Sequence, residues 1–257
     1  MTSRDVDVFV IATKGYLRFA ADLISSAVHF ISMDSRFRFV LLTDDPMTAR
    51  GLSIDRQRVD LIVVEVPAYG WPEATLMRFH LMLEAWGKIH AETVAYIDAD
   101  MQFVAPVSAS DLVTPLEDAD ADVALVNHPG YFDRNTAYRW ICRSCLGPWE
   151  NEFESAAHVP FNERQTYVCG GIFWGRRDAF RRMILKLSQT VENDRIRGVR
   201  SKNNDESHLN RWYVDNQASC VVEPPRWAYD PTYRHLRGLK PIVEAVRKDP
   251  GFERLPT

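Results

Sequence analysis

The residues with most to offer chemically are two aspartates separated by one small residue, Asp98 and Asp100 on either side of Ala99, closing the apolar run VAYIDADMQFV. In extended backbone, residues two apart point to the same side, so both carboxylates could face one ligand. Paired carboxylates at a strand end suit a hard divalent cation held together with substrate phosphates. The region beyond the carboxyl ends of strands is also where open α/β sheets bind ligands. The competing reading is a solvated acidic turn. A second acidic pair, Asp205-Glu206 in KNNDESHLNRWYVD, stands near a helix start, where capping alone would account for it. Arg78 is a charge among core-like neighbours; it either reaches toward the Asp98 strand or snorkels to the surface. Gly170-Gly171, inside an apolar run, permits a bulge or the close approach of a ligand.

The flanking elements read as strands alternating with helices, the pattern of an α/β sheet. Residues 5–13 (DVDVFVIAT) form a buried strand, the loop 13–16 follows, and residues 16–31 have helical apolar spacing. Gly15 alone is no phosphate-binding fingerprint, because no Gly-x-Gly-x-x-Gly accompanies it. Strands are expected over 38–43 and 61–66. One long helix is expected over 71–89, with Pro72 and Glu73 suited to its first turn. It leads directly into the strand that carries Asp98. A further strand covers 122–127, ending in His128-Pro129-Gly130. Residues 131–160 show no clear periodicity and read as an elaboration over the site. Residues 166–175 form a strand pair or bent strand, 177–194 an amphipathic helix, and 202–215 carry a helix start. Val221-Val222 precedes the turn Glu223-Pro224-Pro225, and a basic tail closes the chain.

With 257 residues, 46% of them hydrophobic, the chain can bury a sizeable core as one large domain or two intimate halves. Its net charge of −4, without a long Lys/Arg block, argues against nucleic acid as the main partner. Local basic clusters at Arg176-Arg177, 195–200 and 234–248 remain available to phosphates. No segment approaches the roughly 18 apolar residues of a membrane span, and the N-terminal apolar run is too short for a signal peptide. A cytosolic protein is expected. Cys142 and Cys145 form a lone Cys-x-x-Cys without the further ligands a zinc site needs, so structural thiols are expected.

The ordered series WPEATLMRF, YIDADMQF, VNHPGYF, YVCGGIFWG, NDESHLNRWY and WAYD resembles glycosyltransferase family 6, the family of the blood-group A and B transferases, the α-1,3-galactosyltransferases and bacterial relatives. The similarity runs from about residue 8 to 250. It implies a GT-A fold, a Rossmann-like mixed α/β sheet flanked by helices in one compact domain. Within it, about 1–105 would bind the nucleotide sugar, about 106–233 would hold acceptor and catalytic residues, and about 234–257 would form the tail. The activity implied is transfer of galactose or N-acetylgalactosamine from a UDP-sugar donor to the 3-OH of a terminal galactoside acceptor, with retention. By position, Ile11, Ala12, Thr13 and Tyr16 match the uridine-contacting segment, and Arg78 an arginine near donor sugar and phosphate. Asp98 and Asp100 match the aspartates for Mn²⁺, or another divalent cation such as Mg²⁺, with Ala99 between them. Cys169, Gly170 and Gly171 fall on the segment that sorts the donor sugar, Asp205 on donor-sugar recognition and Glu206 on the catalytic carboxylate. His128 falls on the acceptor-contacting His-Pro-Gly. Lys240 and Arg247 resemble two basic tail residues that close over the pyrophosphate, although their spacing here is one residue longer. Trp227, Trp174 and Tyr131 offer aromatic faces for sugar or belong to the core, with Trp227 the acceptor-side candidate.

Two departures sharpen these expectations. Many bacterial relatives carry asparagines at the metal positions, whereas this chain keeps both aspartates, so metal dependence is expected. It also lacks the stem and membrane anchor of vertebrate members, as a soluble microbial or viral-type enzyme would. Gly171, without a side chain, leaves room for an N-acetyl group and inclines the donor toward UDP-GalNAc. Alternatives are a non-catalytic nucleotide-sugar or glycan-binding module, a nucleotidyltransferase, and a transferase of different donor or stereochemistry. A two-metal phosphohydrolase is disfavoured because it would need more His and Asp ligands.

Overall fold

A computed structural model describes residues 4–132 and 147–248. The β-branched and aromatic runs of the N-terminal half form four parallel strands: β1 (Arg4–Ala12), β2 (Ser35–Thr43), β3 (Val59–Glu65) and β4 (Thr93–Ile97). Beyond them lie β5 (Met101–Phe103), β6 (Val123–Asn127), β7 (Val168–Arg176), β8 (Cys220–Glu223) and β9 (Val243–Ala245). The main sheet is seven-stranded in the order β3-β2-β1-β4-β7-β6-β8, and β5 pairs with β9 in a separate two-stranded ribbon. β7 runs antiparallel to both β4 and β6, so the sheet is mixed. This is the mixed, helix-flanked α/β architecture expected, consistent with a GT-A fold in one compact domain.

Helices cover both faces. α1 (Leu17–Phe30) and α5 (Ala109–Asp118) pack on one core, which includes Val8, Leu23, Phe39 and Trp174. α4 (Arg78–Glu84), α6 (Arg177–Arg197) and α7 (Asn204–Asp215) enclose the other around Phe9, Phe79, Phe173 and Phe180. Short helices α2 (Pro46–Arg50) and α3 (Glu73–Leu76) complete the set. Gly198 ends α6 in the left-handed region at φ 70°, where glycine carries no Cβ penalty. No helix among the described residues is long and apolar enough to cross a membrane.

Several local expectations need correction. The single helix over 71–89 is broken: α3 stops at Leu76, α4 restarts at Arg78, and residues 86–88 form a 3₁₀ turn. The break puts Arg78 at the start of α4, buried instead of snorkelling. The segment 98–100 is a turn instead of extended strand, with the Met101 amide donating to the Asp98 carbonyl at 3.2 Å. The chain must turn there because β5 leaves the sheet to pair with β9. The run 166–175, expected as a strand pair or bent strand, holds one strand, β7, which begins only at Val168. α5 was signalled by a capping box, Ser108 with Asp111, which the periodicity argument passed over. Residues 133–146, with Cys142 and Cys145 and much of the expected elaboration, lie outside the described residues. Cys169 and Cys220 are free thiols.

One buried charge ties the sheet to the chain outside it. Asp7 in β1 is 1% exposed, accepts from the His90 and Ala91 amides at 2.6 and 2.9 Å, and pairs with Arg38 at 2.6 Å. Asp7→Ala orphans those donors and is expected to cost about 2–5 kcal/mol in urea denaturation. Asp60→Ala, which breaks only the exposed pair with Arg36, should cost less than about 1 kcal/mol. Equal losses would show that Asp7 has no special role.

Candidate active site

Strand register builds the site. Phe9 of β1 lies opposite Tyr96 of β4, so the carboxyl ends of both strands open at one edge of the sheet. Ile97 of β4 pairs with Ile172 of β7, and the ladder continues one step as the Asp98 amide donates to the Gly171 carbonyl at 2.8 Å. Gly171 permits that approach: a Cβ there would sit 3.2 Å from Asp98 Oδ2. On the other side of Asp98, the Tyr96 hydroxyl donates to Oδ1 at 2.6 Å.

Arg78 joins the acidic residues. Its Nη2 lies 3.3 Å from Asp98 Oδ1, and its Nε 2.9 Å from Asp205 Oδ2, an ion-pair contact outside hydrogen-bond alignment. Its Nη1 donates to the Gly170 carbonyl at 2.6 Å, and its guanidinium lies over the Tyr96 ring at 4.6 Å. The Gly170 amide, at the other end of that residue, donates to Glu206 Oε2 at 2.8 Å. Burial disfavours the Arg78 charge, but Asp205 and its other acidic neighbours more than offset this and hold it protonated. Asp98 keeps 31% of its side chain exposed, facing the cavity. Its setting pushes it up to about 7, burial being the main cause, with Arg78 opposing and Asp100 reinforcing the rise. Asp205 is pushed up to about 6 by burial, again opposed by Arg78. Glu206 is also raised by burial, against the pull of the Gly170 amide and the Tyr167 hydroxyl.

These groups border a cavity of about 250 Å³ lined by Ile11, Thr13, Tyr16, Arg78, Asp98, Ala99, Asp100 and Lys248, among others. Asp205 and Glu206 adjoin it through Arg78 and Gly170. A groove of about 690 Å³ between α6 and α7 is larger, but none of the expected site residues line it. Ala12 is not at the cavity: strand alternation turns it into the core. Cys169 is likewise in the core, its thiol pushed up to about 12 by burial. Trp227 and Trp174 pack on each other at 5.1 Å, both buried, so neither presents a face to sugar. Tyr131 packs on His128 at 4.9 Å. His128, at the end of β6, is lowered to about 4 by burial and is therefore neutral. Its Nδ1 accepts from the Gly130 amide at 3.0 Å, leaving the ring hydrogen on Nε2 as a donor.

The tail corrects a further expectation. Lys240 and Arg247 are both exposed, and Lys248 enters the site instead. Its Nζ lies 2.8 Å from Asp100 Oδ2 and donates to the Tyr16 hydroxyl at 2.9 Å. The extra residue of spacing in the tail was the sequence signal. Tyr96 could have been inferred from its position two residues before Asp98 on one strand face; Tyr69, which also lines the cavity and whose carbonyl accepts from the Thr13 hydroxyl at 2.7 Å, had no sequence signal. Among the described residues no third His, Cys, Asp or Glu joins Asp98 and Asp100 as a metal ligand. Two carboxylates facing one cavity fit a hard cation that completes its shell with phosphate oxygens and water.

A family model described as Glycosyltransferase family 6 matches residues 2–251. The chain belongs to that family. Among its relatives, human Globoside alpha-1,3-N-acetylgalactosaminyltransferase 1 is 24% identical over 225 residues, covering 85% of this chain and 59% of the relative. The Escherichia coli O-antigen biosynthesis glycosyltransferase WbnI is 23% identical over 225 residues, covering 86% of this chain and 87% of the relative. The rat Histo-blood group ABO system transferase 1 is 22% identical over 247 residues, covering 94% and 65%. This family 6 chain thus spans about three-fifths of the human relative it matches.

Arg78→Met leaves Asp98, Asp205 and Glu206 without their shared buried cation. A carboxyl whose folded pKa is raised loses stability as pH rises through that value. The variant is therefore expected to lose about 3–5 kcal/mol at pH 8 and markedly less at pH 5, where the carboxyls take up protons. Urea denaturation at the two pH values measures this; a deficit independent of pH would mean that the Arg78 charge is not what holds the cluster.

Proposed function

We propose that this chain is a retaining hexosyltransferase. In this reading it moves N-acetylgalactosamine, or galactose, from a UDP-sugar to the 3-OH of a terminal galactoside in α-1,3 linkage, with Mn²⁺ or Mg²⁺. The observation that carries the reading is the convergence of Arg78 on Asp98, Asp205 and Gly170, with Glu206 on the same glycine, at the open edge of a family 6 sheet. The human, mouse and chicken relatives, each a globoside alpha-1,3-N-acetylgalactosaminyltransferase, favour N-acetylgalactosamine. Gly171 gives weaker support, because its missing side chain also serves the approach of Asp98.

The chain's own groups divide the work. Ile11, Thr13 and Tyr16 receive the uridine side of the donor, and Asp98 and Asp100 would hold the cation against the diphosphate. When bound, that cation supplies charge stabilisation to the leaving phosphate. Arg78 and Lys248 add fixed positive charge around the same oxygens. As the bond from the anomeric carbon to phosphate breaks, its electron pair goes to UDP and positive charge develops on the sugar. The Glu206 carboxylate stabilises that carbon, Asp205 orients sugar hydroxyls, and the acceptor 3-oxygen forms the new bond as its proton passes to the departing diphosphate. His128 Nε2–H is a donor to an acceptor hydroxyl oxygen.

The test is UDP release from UDP-GalNAc and UDP-Gal, with and without Mn²⁺ and lactose. Release that needs metal and rises with acceptor is expected, falling about 10²–10⁴-fold in Glu206→Gln. Full activity in excess chelator would sink the metal assignment, and an active Glu206→Gln the role of Glu206. Because His128 titrates near 4, the acceptor KM should stay flat from pH 8 to 5.5 and rise several-fold in His128→Ala. An acceptor KM that follows a titration near the ordinary histidine value would contradict the neutral donor.

A further inference from the structure

The two oxygens of the Asp98 carboxylate are not equivalent, and Tyr96 makes the difference. Tyr96 pairs with Phe173 in the β4–β7 ladder and its ring stacks there (centroids 5.2 Å, planes at 24°), while the Arg78 guanidinium covers it at 4.6 Å. The residue is only 2% exposed, yet it lines the cavity. Packing therefore fixes the hydroxyl, which donates to Asp98 Oδ1 at 2.6 Å. Arg78 Nη2 stands 3.3 Å from the same oxygen. The Asp98 backbone is pinned as well, its amide donating to the Gly171 carbonyl at 2.8 Å. Among the described residues no hydrogen bond reaches Oδ2, which stands over Gly171, where a Cβ would come within 3.2 Å of it. Asp100 shows the same division: its Oδ2 lies 2.8 Å from Lys248 Nζ, and no described donor bonds its Oδ1.

A carboxylate with one oxygen tied to a donor offers a cation a single ligand atom. That suits a small ion in near-ideal octahedral coordination, which takes one or two carboxylates and completes its shell with phosphate and water. Ca²⁺ gathers about six to eight oxygens in looser geometry, often through both oxygens of a carboxylate. We propose that Tyr96 is a positioning residue that ties Asp98 Oδ1, leaves Oδ2 as the metal-facing atom, and so selects Mn²⁺ or Mg²⁺ over Ca²⁺. Arg78 supports this less directly, because its contact with Oδ1 is an ion pair and its short hydrogen bond goes to the Gly170 carbonyl at 2.6 Å. A tyrosine with only a packing role would behave differently: Tyr96→Phe keeps the ring on Phe173 and would leave the choice between ions unchanged.

The inference rests on Asp98 and Asp100 holding a cation beside UDP, and its test separates the two. Mn²⁺ binding to the chain in saturating UDP is followed by electron paramagnetic resonance of the unbound ion, and Ca²⁺ binding by its displacement of Mn²⁺. Tyr96→Phe is expected to weaken Mn²⁺ about 10-fold, the usual order of loss when a hydrogen bond behind a metal ligand is removed. Ca²⁺, able to take both Asp98 oxygens in the variant, is expected to stay within about threefold of its parent affinity. Both ions are measured on the same variant, so their ratio does not depend on how much of it folds. A parallel loss of the two affinities, or no loss of either, would overturn selection by Tyr96. A parent chain that binds UDP but no Mn²⁺ would overturn the metal assignment itself, and this inference with it.

Discussion

The site depends on one buried guanidinium. Arg78 is 6% exposed, yet it carries a full charge because Asp205 and Asp98 stand within ion-pair distance. Two carboxylates brought together below the surface would repel and take up protons; one cation between them lets both stay close. The same guanidinium fixes the Gly170 carbonyl, and so the peptide whose neighbouring amide holds Glu206. A charge balance thus becomes a geometric one. The acidic residues that would meet sugar and the acidic residue that would meet metal are set against a common centre.

That centre can form only because β7 runs antiparallel between β4 and β6. The reversal lays Gly170-Gly171 against the end of β4, where a side chain at Gly171 would crowd Asp98 while one at Gly170 would only come into ordinary contact with Glu206 and Arg78. α7 then presents Asp205 and Glu206 from its first turn, where the helix dipole favours acidic groups. The helix start thus adds to Arg78 in making these carboxylates tolerable at that depth. On the far side, the β5–β9 ribbon returns the tail to the cavity, and the Val246 amide donates to the Asp100 carbonyl at 2.8 Å just before Lys248 meets the Asp100 side chain.

Much of the sheet was legible because its strands are buried on both faces and so read as continuous β-branched and aromatic runs. The long helices α1 and α6 were legible from their apolar spacing. Short elements were not: β5 and β9, at three residues each, lie below any periodicity signal, and each exists only because the other covers its edge. The break between α3 and α4 escaped notice because no proline or glycine marks it; burial of Arg78 requires the new helix to start there.

By itself the sequence determined the alternation of strands and helices, the acidic pair at the end of β4, the acidic pair at the start of α7, and the ordered motifs that carry the family resemblance. These are local facts, written in residue types and short spacings. Only the tertiary structure decided that Arg78 unites the two acidic pairs, that Trp227 and Ala12 belong to the core, and that Lys248 and not Arg247 reaches Asp100. Each of those follows from long-range pairing and burial. A one-residue offset in register or a turned side chain exchanges cavity for core, and nothing within a short window of sequence records it.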